Sequence, residues 1–268
     1  MRDLIMLGTG SAMVTNCFNT CFALHLPEDE YFLVDAGGGN GILRQIEQAS
    51  IDFPKIHHMF VTHGHTDHVL GVIWVIRKIA TLLNQGKYEK KFHIYCHKEL
   101  AETIHTMTAL TLKKKDLEQI GNNILFHEVQ DGQQLDILAM QVTFFDIQST
   151  KAKQFGFRAL FPDGMLFSCL GDEPFNEHCK AHVYKSDWLL SEAFCLYAER
   201  AVFKPYEKHH STVKEACETA ALLAAKNLVL YHTEDKDMKG RKVKYTKEGS
   251  QYYQGSLYVP NDLDVISL

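Results

Sequence analysis

Val61-Thr62-His63-Gly64-His65-Thr66-Asp67-His68 is the stretch on which the reading of this chain turns. It follows the strand-like run Met59-Phe60-Val61-Thr62 and leads into an apolar helical pattern. Three imidazoles and one carboxylate within six residues can surround a cation only if the backbone turns sharply, and Gly64 permits that turn. Neutral imidazole nitrogen and carboxylate oxygen are the donors that zinc, manganese and iron accept. Asp67 and His68 lie beyond the turn, so they can face a different side from His63 and His65. Two adjacent metals could then share one short loop. A lone His would read as a solvated turn residue, but this spacing at a strand-to-helix junction reads as a ligand cluster.

Outward from that loop, short β-branched and aromatic runs alternate with longer helical patterns, the signature of an α/β protein. Strands are expected at 4–7, 21–25, 31–34, 58–62, 93–96, 124–128, 140–145, 155–161, 165–169, 188–191, 227–230 and 256–259. Helices are expected at 41–47, 69–83, 98–112 and 212–225. The strands form two clusters, before and after about residue 110, each flanked by helices. This predicts two sheets face to face with helices outside, a four-layer αββα sandwich forming one domain over 1–268. The apolar helix from Val69 to Ile76 reads as core.

The composition sets limits on function. Of 268 residues, 46% are hydrophobic and 23% charged, as in ordinary globular proteins. A net charge of −5 argues against a broad electrostatic grip on nucleic acid. No apolar run approaches the roughly 20 residues that span a bilayer, and no targeting segment is visible, so no membrane partner is expected. The seven cysteines are scattered and odd in number, which favours a reducing, cytoplasmic setting over a disulfide framework.

Two further ligands follow from position. Met165-Leu166-Phe167-Ser168-Cys169-Leu170-Gly171-Asp172 is a strand ending in Gly-Asp, and Asn227-Leu228-Val229-Leu230-Tyr231-His232 is a strand ending in His. Functional groups of open α/β sheets collect where strands end. Asp172 could bridge two metals with its two oxygens, and His232 could complete the second site. Taken singly, each reads equally well as a turn or capping residue.

The ordered set of motifs resembles the metallo-β-lactamase superfamily, and within it most of all the ribonuclease Z-like branch. The matching features are Leu7-Gly8-Thr9-Gly10-Ser11, Phe32-Leu33-Val34-Asp35-Ala36-Gly37, the His63–His68 loop, Gly171-Asp172, Ser191-Glu192-Ala193-Phe194, His209-His210-Ser211-Thr212 and His232. The resemblance implies a metallo-β-lactamase-like fold with one metal on His63, His65 and Asp172. A second metal would sit on Asp67, His68, Asp172 and His232. Zinc is the implied cofactor, as one or two ions, with manganese or iron as alternatives. His210, oriented by Glu192, corresponds to the group that protonates the leaving oxygen. Asp67, His210 and Glu192 are therefore the catalytic candidates, and Asp35 a partner that orients the ligand loop. The residue chemistry agrees, because a metal-activated hydroxide is a nucleophile near neutral pH and a His beside a carboxylate is suited to give a proton. His210 also stands at a helix start, where Ser211 or Thr212 can cap backbone donors.

The chain departs from that branch in two places. Where the branch supplies another His ligand before Gly156, this chain reads Asp146-Ile147-Gln148-Ser149, and Gln148 takes the ligand position as a weaker donor. The His63/His65 metal is therefore expected to bind weakly. The branch also carries a long basic RNA-binding arm, and here only Phe161-Pro162-Asp163-Gly164 separates the strands. A tight hold on folded tRNA is not expected without it. The basic stretch from Lys236 to Lys247 reads as a solvated loop that could hold a phosphate if it folded toward the metals. Lys113-Lys114-Lys115 reads as an exposed helix end.

The reading favoured is a phosphodiesterase-like hydrolase of a small-molecule or single-stranded phosphate ester, with His210/Glu192 assisting the leaving group. The alternatives are an ester, thioester or lactone hydrolase on the same fold, and a degenerate member that binds a ligand without turnover. The resemblance also implies a homodimer formed through the 69–76 region.

Overall fold

Alternation at period two carries through the opening strands. Ile5 and Leu7, Cys21 and Ala23, Leu33, Ile94 and Cys96 turn to one face and enter one core cluster. The structure is a computed structural model that describes residues 2–268. Along the chain run β1 (Asp3–Gly8), β2 (Cys21–Leu26), β3 (Glu30–Val34), α1 (Gly41–Gln48), β4 (Ile56–Phe60), α2 (Thr66–Asn84), β5 (Phe92–Cys96), α3 (Lys98–Thr111), α4 (Lys114–Leu117) and β6 (Ile124–Glu128). There follow β7 (Gln134–Ile137), β8 (Met140–Asp146), β9 (Phe155–Leu160), β10 (Leu166–Cys169), α5 (Lys180–Val183), β11 (Trp188–Glu192), α6 (Arg200–Phe203), α7 (Val213–Leu222), β12 (Asn227–Tyr231), α8 (Met238–Gly249), β13 (Ser256–Tyr258) and β14 (Val265–Ser267).

The chain divides into two compact units. One comprises Met1–Gly8, Phe18–Val129 and Asp262–Leu268, and the other Thr9–Cys17 and Gln130–Asn261. The first holds a seven-stranded sheet in the order β14-β1-β2-β3-β4-β5-β6, antiparallel from β14 to β3 and parallel from β3 to β6. The second holds a seven-stranded sheet in the order β13-β12-β11-β10-β9-β8-β7, parallel from β13 to β10 and antiparallel from β10 to β7. Parallel neighbours need crossovers, which α1, α2 and α3 supply in the first unit and α5, α7 and α8 in the second. Both sheets are mixed and both carry helices, the α/β class that the pattern of runs predicts.

Several boundaries differ from the sequence reading. The strand clusters divide after Val129 rather than near residue 110, because β6 pairs with β5, and β14 returns to β1. β7 escaped notice because its hairpin with β8 turns at Leu138-Ala139, where Leu138 takes φ +52° without the usual Gly or Asn. The 236–247 stretch is not a loop: residues 238–249 form α8, capped by the Asp237 side chain on Gly240 N at 2.9 Å. Its inner face is Arg241, Tyr245 and Gly249, spaced by four, and a charged first member hides the apolar period. The three lysines stand exposed at a helix end, as expected, at the start of the short α4 with Lys113 at its N-cap.

In α2, Val69, Val72, Val75, Ile76, Ile79 and Ala80 are buried at helical spacing, each large side chain contributing about 1.5–3 kcal/mol. Gly71 lets this helix press on the segment after β3. Its N–H bonds Gly37 O at 2.9 Å, and a Cβ there would stand 1.8 Å from Ala36 O. Gly71→Ala is expected to destabilise the protein by about 3 kcal/mol in thermal or urea unfolding, at the upper end of overpacking costs. Gly64 is different. Its φ is not positive, and a Cβ would meet only Leu100 Cδ1 at 3.5 Å, an ordinary contact. The histidine loop therefore turns without a glycine-only conformation, and Gly64→Ala is expected to cost less than about 1 kcal/mol.

His58, His93 and His127 lie on the adjacent parallel strands β4, β5 and β6. His93 Nδ1 and His127 Nε2 are 2.8 Å apart, and His58 Nδ1 lies 3.0 Å from Tyr95 OH. Burial and then the neighbouring His93 and His57 imidazoles push His58 down to about 4, and burial lowers His93 and His127 as well. With folded values below the ordinary histidine range, the unfolded chain takes up protons first as pH falls. Stability from these groups is fully present above about pH 6.5 and is lost toward pH 4. Urea midpoints of wild type should fall between pH 7.5 and 5, and those of His58→Gln should fall less. Equal slopes would remove His58 from the account.

Candidate metal centre

Every candidate site residue except Gln148 and His210 stands in or just beyond the carboxyl end of a parallel strand. That is where backbone leaves a sheet and side chains become available. In the first unit, Asp35 follows β3 with its backbone at φ +55°, and its N–H bonds Phe60 O at 2.9 Å. Its carboxylate accepts from Thr62 N and Thr62 Oγ1, both at 2.8 Å, and its Oδ2 lies 2.8 Å from His68 Nδ1. With Nδ1–H given to Asp35, the His68 Nε2 lone pair is left as the donor to a cation. Asp35 thus fixes both the start of the loop, through Thr62, and the tautomer of its last histidine.

The loop donors converge within this unit. His63 Nε2 lies 2.9 Å from His65 Nδ1, the His63 and His68 ring centroids are 4.2 Å apart, and Asp67 Oδ2 is 3.4 Å from His68 Nε2. His63, Asp67 and His68 are buried, and His65 is half-buried. Three imidazoles pressed together beside a carboxylate are a poor arrangement for a core but a donor set for a borderline metal. The residues present fit such an ion.

In the second unit, Asp172 follows β10 after Gly171, whose φ is +85° and whose missing Cβ leaves room for Gln154 Nε2. Tyr231 OH donates to Gly171 O at 2.5 Å and steadies that turn. His232 follows β12 at φ +56°, and its Nε2 is 3.6 Å from Asp172 Oδ2. The next residue pins the turn: Thr233 N donates to Thr9 O at 3.0 Å, and Ser11 N to Thr233 O at 2.9 Å. Arg241, fully buried on α8, donates to Thr233 Oγ1 at 2.6 Å, Thr9 Oγ1 at 3.1 Å and Pro260 O at 2.7 Å. The opening Thr9-Gly10-Ser11 motif therefore braces the turn that carries His232.

Glu192 ends β11 and His210 precedes α7. Donor atoms of Glu192, His210 and His232 lie within 4.8 Å of one another, all buried. Glu192 Oε1 accepts from Ser211 N at 2.5 Å, while its Oε2 is 3.6 Å from His210 Nδ1. The helix itself is capped by Thr212 and Glu215 in a capping box, so neither His210 nor Ser211 is needed as its cap. Phe194 stacks on the His210 ring at 5.1 Å. Burial pushes Glu192 up to about 8 against the opposing Ser211 hydrogen bonds. Burial, then His232 and Lys151, pushes His210 down to about 3. Near neutral pH both groups are therefore uncharged, and the pair holds one transferable proton beside an imidazole able to accept it.

Gln148 is exposed on the loop after β8, at φ +55°. Sequence pattern assigns no role to Thr62 or Arg241; Ser211 and Phe194 fall within its motifs, but they serve Glu192 and the His210 ring rather than a helix cap. Thr62 had a signal, a hydroxyl directly before the first ligand. Arg241 had none, since its partners are scattered from Thr9 to Pro260. Among the described residues no helix is long and apolar enough to cross a membrane.

Two seven-stranded mixed sheets with donors at their strand ends define a metallohydrolase of the metallo-β-lactamase fold. The chain belongs to the family of the anti-Pycsar protein Apyc1, whose family model matches residues 2–252. It is also similar to the ribonuclease Z of Thermococcus sibiricus, 25% identical over 316 residues, covering 100% of this chain and 97% of that protein. Among solved structures it is similar to the metallo-β-lactamase fold protein YhfI from Bacillus subtilis, with TM-score 0.78, 18% identity and coverage of 99% and 98%. The short form of human tRNase Z matches with TM-score 0.76, 22% identity and coverage of 99% and 98%.

Proposed function

We propose that this protein is a metal-dependent phosphodiesterase acting on a small-molecule or single-stranded phosphate ester. In this reading His63, His65 and Asp172 hold one metal, and Asp67, His68, Asp172 and His232 hold the other. Zinc is the ion favoured, with manganese or iron as alternatives, and Gln148 weakens the first position. When bound, the metal supplies positive charge toward the phosphate and activates water near neutral pH. Asp35 holds His68 in the tautomer that presents Nε2. Glu192 and His210 keep a proton at the Oε2/Nδ1 contact and deliver it to the departing oxygen.

The observation that carries the reading is that buried pair, Glu192 Oε2 and His210 Nδ1 3.6 Å apart, beside His232, which itself lies 3.6 Å from Asp172. An alkoxide leaving from phosphorus needs a proton, whereas a thiolate leaving from a thioester does not. The similarity to ribonuclease Z supports the same direction. A homodimer through α2 and a reducing, cytoplasmic setting belong to the proposal as well. The test is hydrolysis of bis-para-nitrophenyl phosphate beside a panel of thioesters and lactones, with zinc, manganese or iron added. Diester turnover well above acyl turnover is expected. The reverse order favours the acyl hydrolase, and inactivity on every substrate favours a ligand-binding member.

A further inference from the structure

Two loops of the second unit are clasped in front of His210. The first, between β8 and β9, carries Gln148, Ser149, Thr150 and Lys151, and the second, between α6 and α7, carries Lys208 and His209. Lys151 Nζ donates to Lys208 O at 3.1 Å, and Thr150 Oγ1 lies 3.3 Å from His209 Nδ1. Both loops hold residues in the left-handed region without glycine, namely Gln148 at φ +55° and Lys204 and His209 at +52° and +55°. Such backbone strain gathers where a binding surface is built.

Behind the clasp lies a cleft of about 510 Å³, lined by Gln148, Thr150, Glu173, Phe175, Tyr206 and His210 among others. Its lining contains carboxylates but no lysine or arginine, so an anion entering it must find charge at the rim. Lys151 lies beside this lining, 24% exposed, with Nζ 3.7 Å from Oε1 of the lining residue Glu173. Ser149 Oγ donates to that same carboxylate oxygen at 2.6 Å, and the Lys151 and Ala152 N–H groups are 3.1 and 3.3 Å from Ser149 Oγ. The ammonium is thus held in place yet keeps donors to spare, since a carbonyl and a carboxylate at 3.7 Å do not saturate three N–H bonds. Its charge acts on both Glu192 and His210. Lys208 Nζ is engaged by the Phe194 ring that stacks on His210, 4.7 Å from its centroid.

We infer that Lys151 is the positioning residue that anchors a phosphate oxygen of the substrate at the mouth of this cleft, exchanging the Lys208 carbonyl for the anion. The inference rests on the phosphodiesterase reading for its substrate but concerns anion binding. The experiment is titration of the protein as purified with inorganic phosphate, by calorimetry and by competitive inhibition, for wild type, Lys151→Met and Lys151→Arg. Lys151→Met should weaken phosphate at least about 10-fold and raise KM similarly with kcat within about threefold, the size of one lost charge-assisted contact. Lys151→Arg should restore most of the binding, and matched melting temperatures exclude misfolding. Unchanged phosphate affinity in Lys151→Met, failure of wild type to bind phosphate, or a loss confined to kcat overturns the inference. If wild type binds phosphate through Lys151 but cleaves no diester, the anchor stands and the proposed reaction alone fails.

Discussion

Asp67→Ala and His68→Ala are each expected to deprive the protein of metal and to lower diester hydrolysis on the order of 10³-fold or more. Asp67 Oδ2 and His68 Nε2 lie 3.4 Å apart at the first turn of α2, so either change removes a donor from a set that is already assembled. Nothing nearby replaces it, because Asp35 is committed to Thr62 and His68 Nδ1. Asp35→Ala should act in two ways. It leaves three buried donors without an acceptor, costing about 3 kcal/mol of stability, and frees the His68 ring to rotate, weakening metal about 10–100-fold. Metal content by mass spectrometry, read beside urea unfolding, separates these effects. A His68→Ala protein that keeps its full metal complement and rate would remove the loop from the site.

His210→Ala is expected to lower kcat by about 10²–10⁴-fold on diesters with alkoxide leaving groups, while substrates that release para-nitrophenolate lose far less. The difference follows from the proton: nitrophenolate departs without one, whereas an alkoxide does not. Burial raises Glu192 to about 8 and lowers His210 to about 3, so the acid form of the pair is the one present near pH 7. As pH rises through about 8 the carboxyl proton is lost, and the rate on alkoxide substrates should fall on that limb. Glu192→Gln should abolish the limb while keeping the Ser211 N–H satisfied through its amide oxygen. If His210→Ala slows both substrate types equally, the residue positions substrate rather than giving a proton.

The α/β class, twelve of the fourteen strands and the donors of the histidine loop could all be read along the chain, because each depends on local pattern. Strand alternation repeats every two residues, helix faces every three or four, and His63, His65, Asp67 and His68 lie within one turn of backbone. Asp172 and His232 could be proposed from position too, since each lies within three residues of a strand's end. The family resemblance pointed to Asp35 as an orienting partner, but local pattern carries no record of the bonds that hold these groups. The Asp35 bonds to Thr62 and His68 bring together residues 27 and 33 positions apart. Arg241 reaches Thr9 across 232 positions. Nor could pattern show that Glu192 meets Ser211 N rather than His210 directly, that Gly64 has room for a Cβ while Gly71 does not, or that a lysine-rich stretch is helix α8. Those outcomes depend on which distant atoms share a buried space, where an unpaired donor or a misplaced carbon costs several kcal/mol, and period in sequence carries no record of that neighbour.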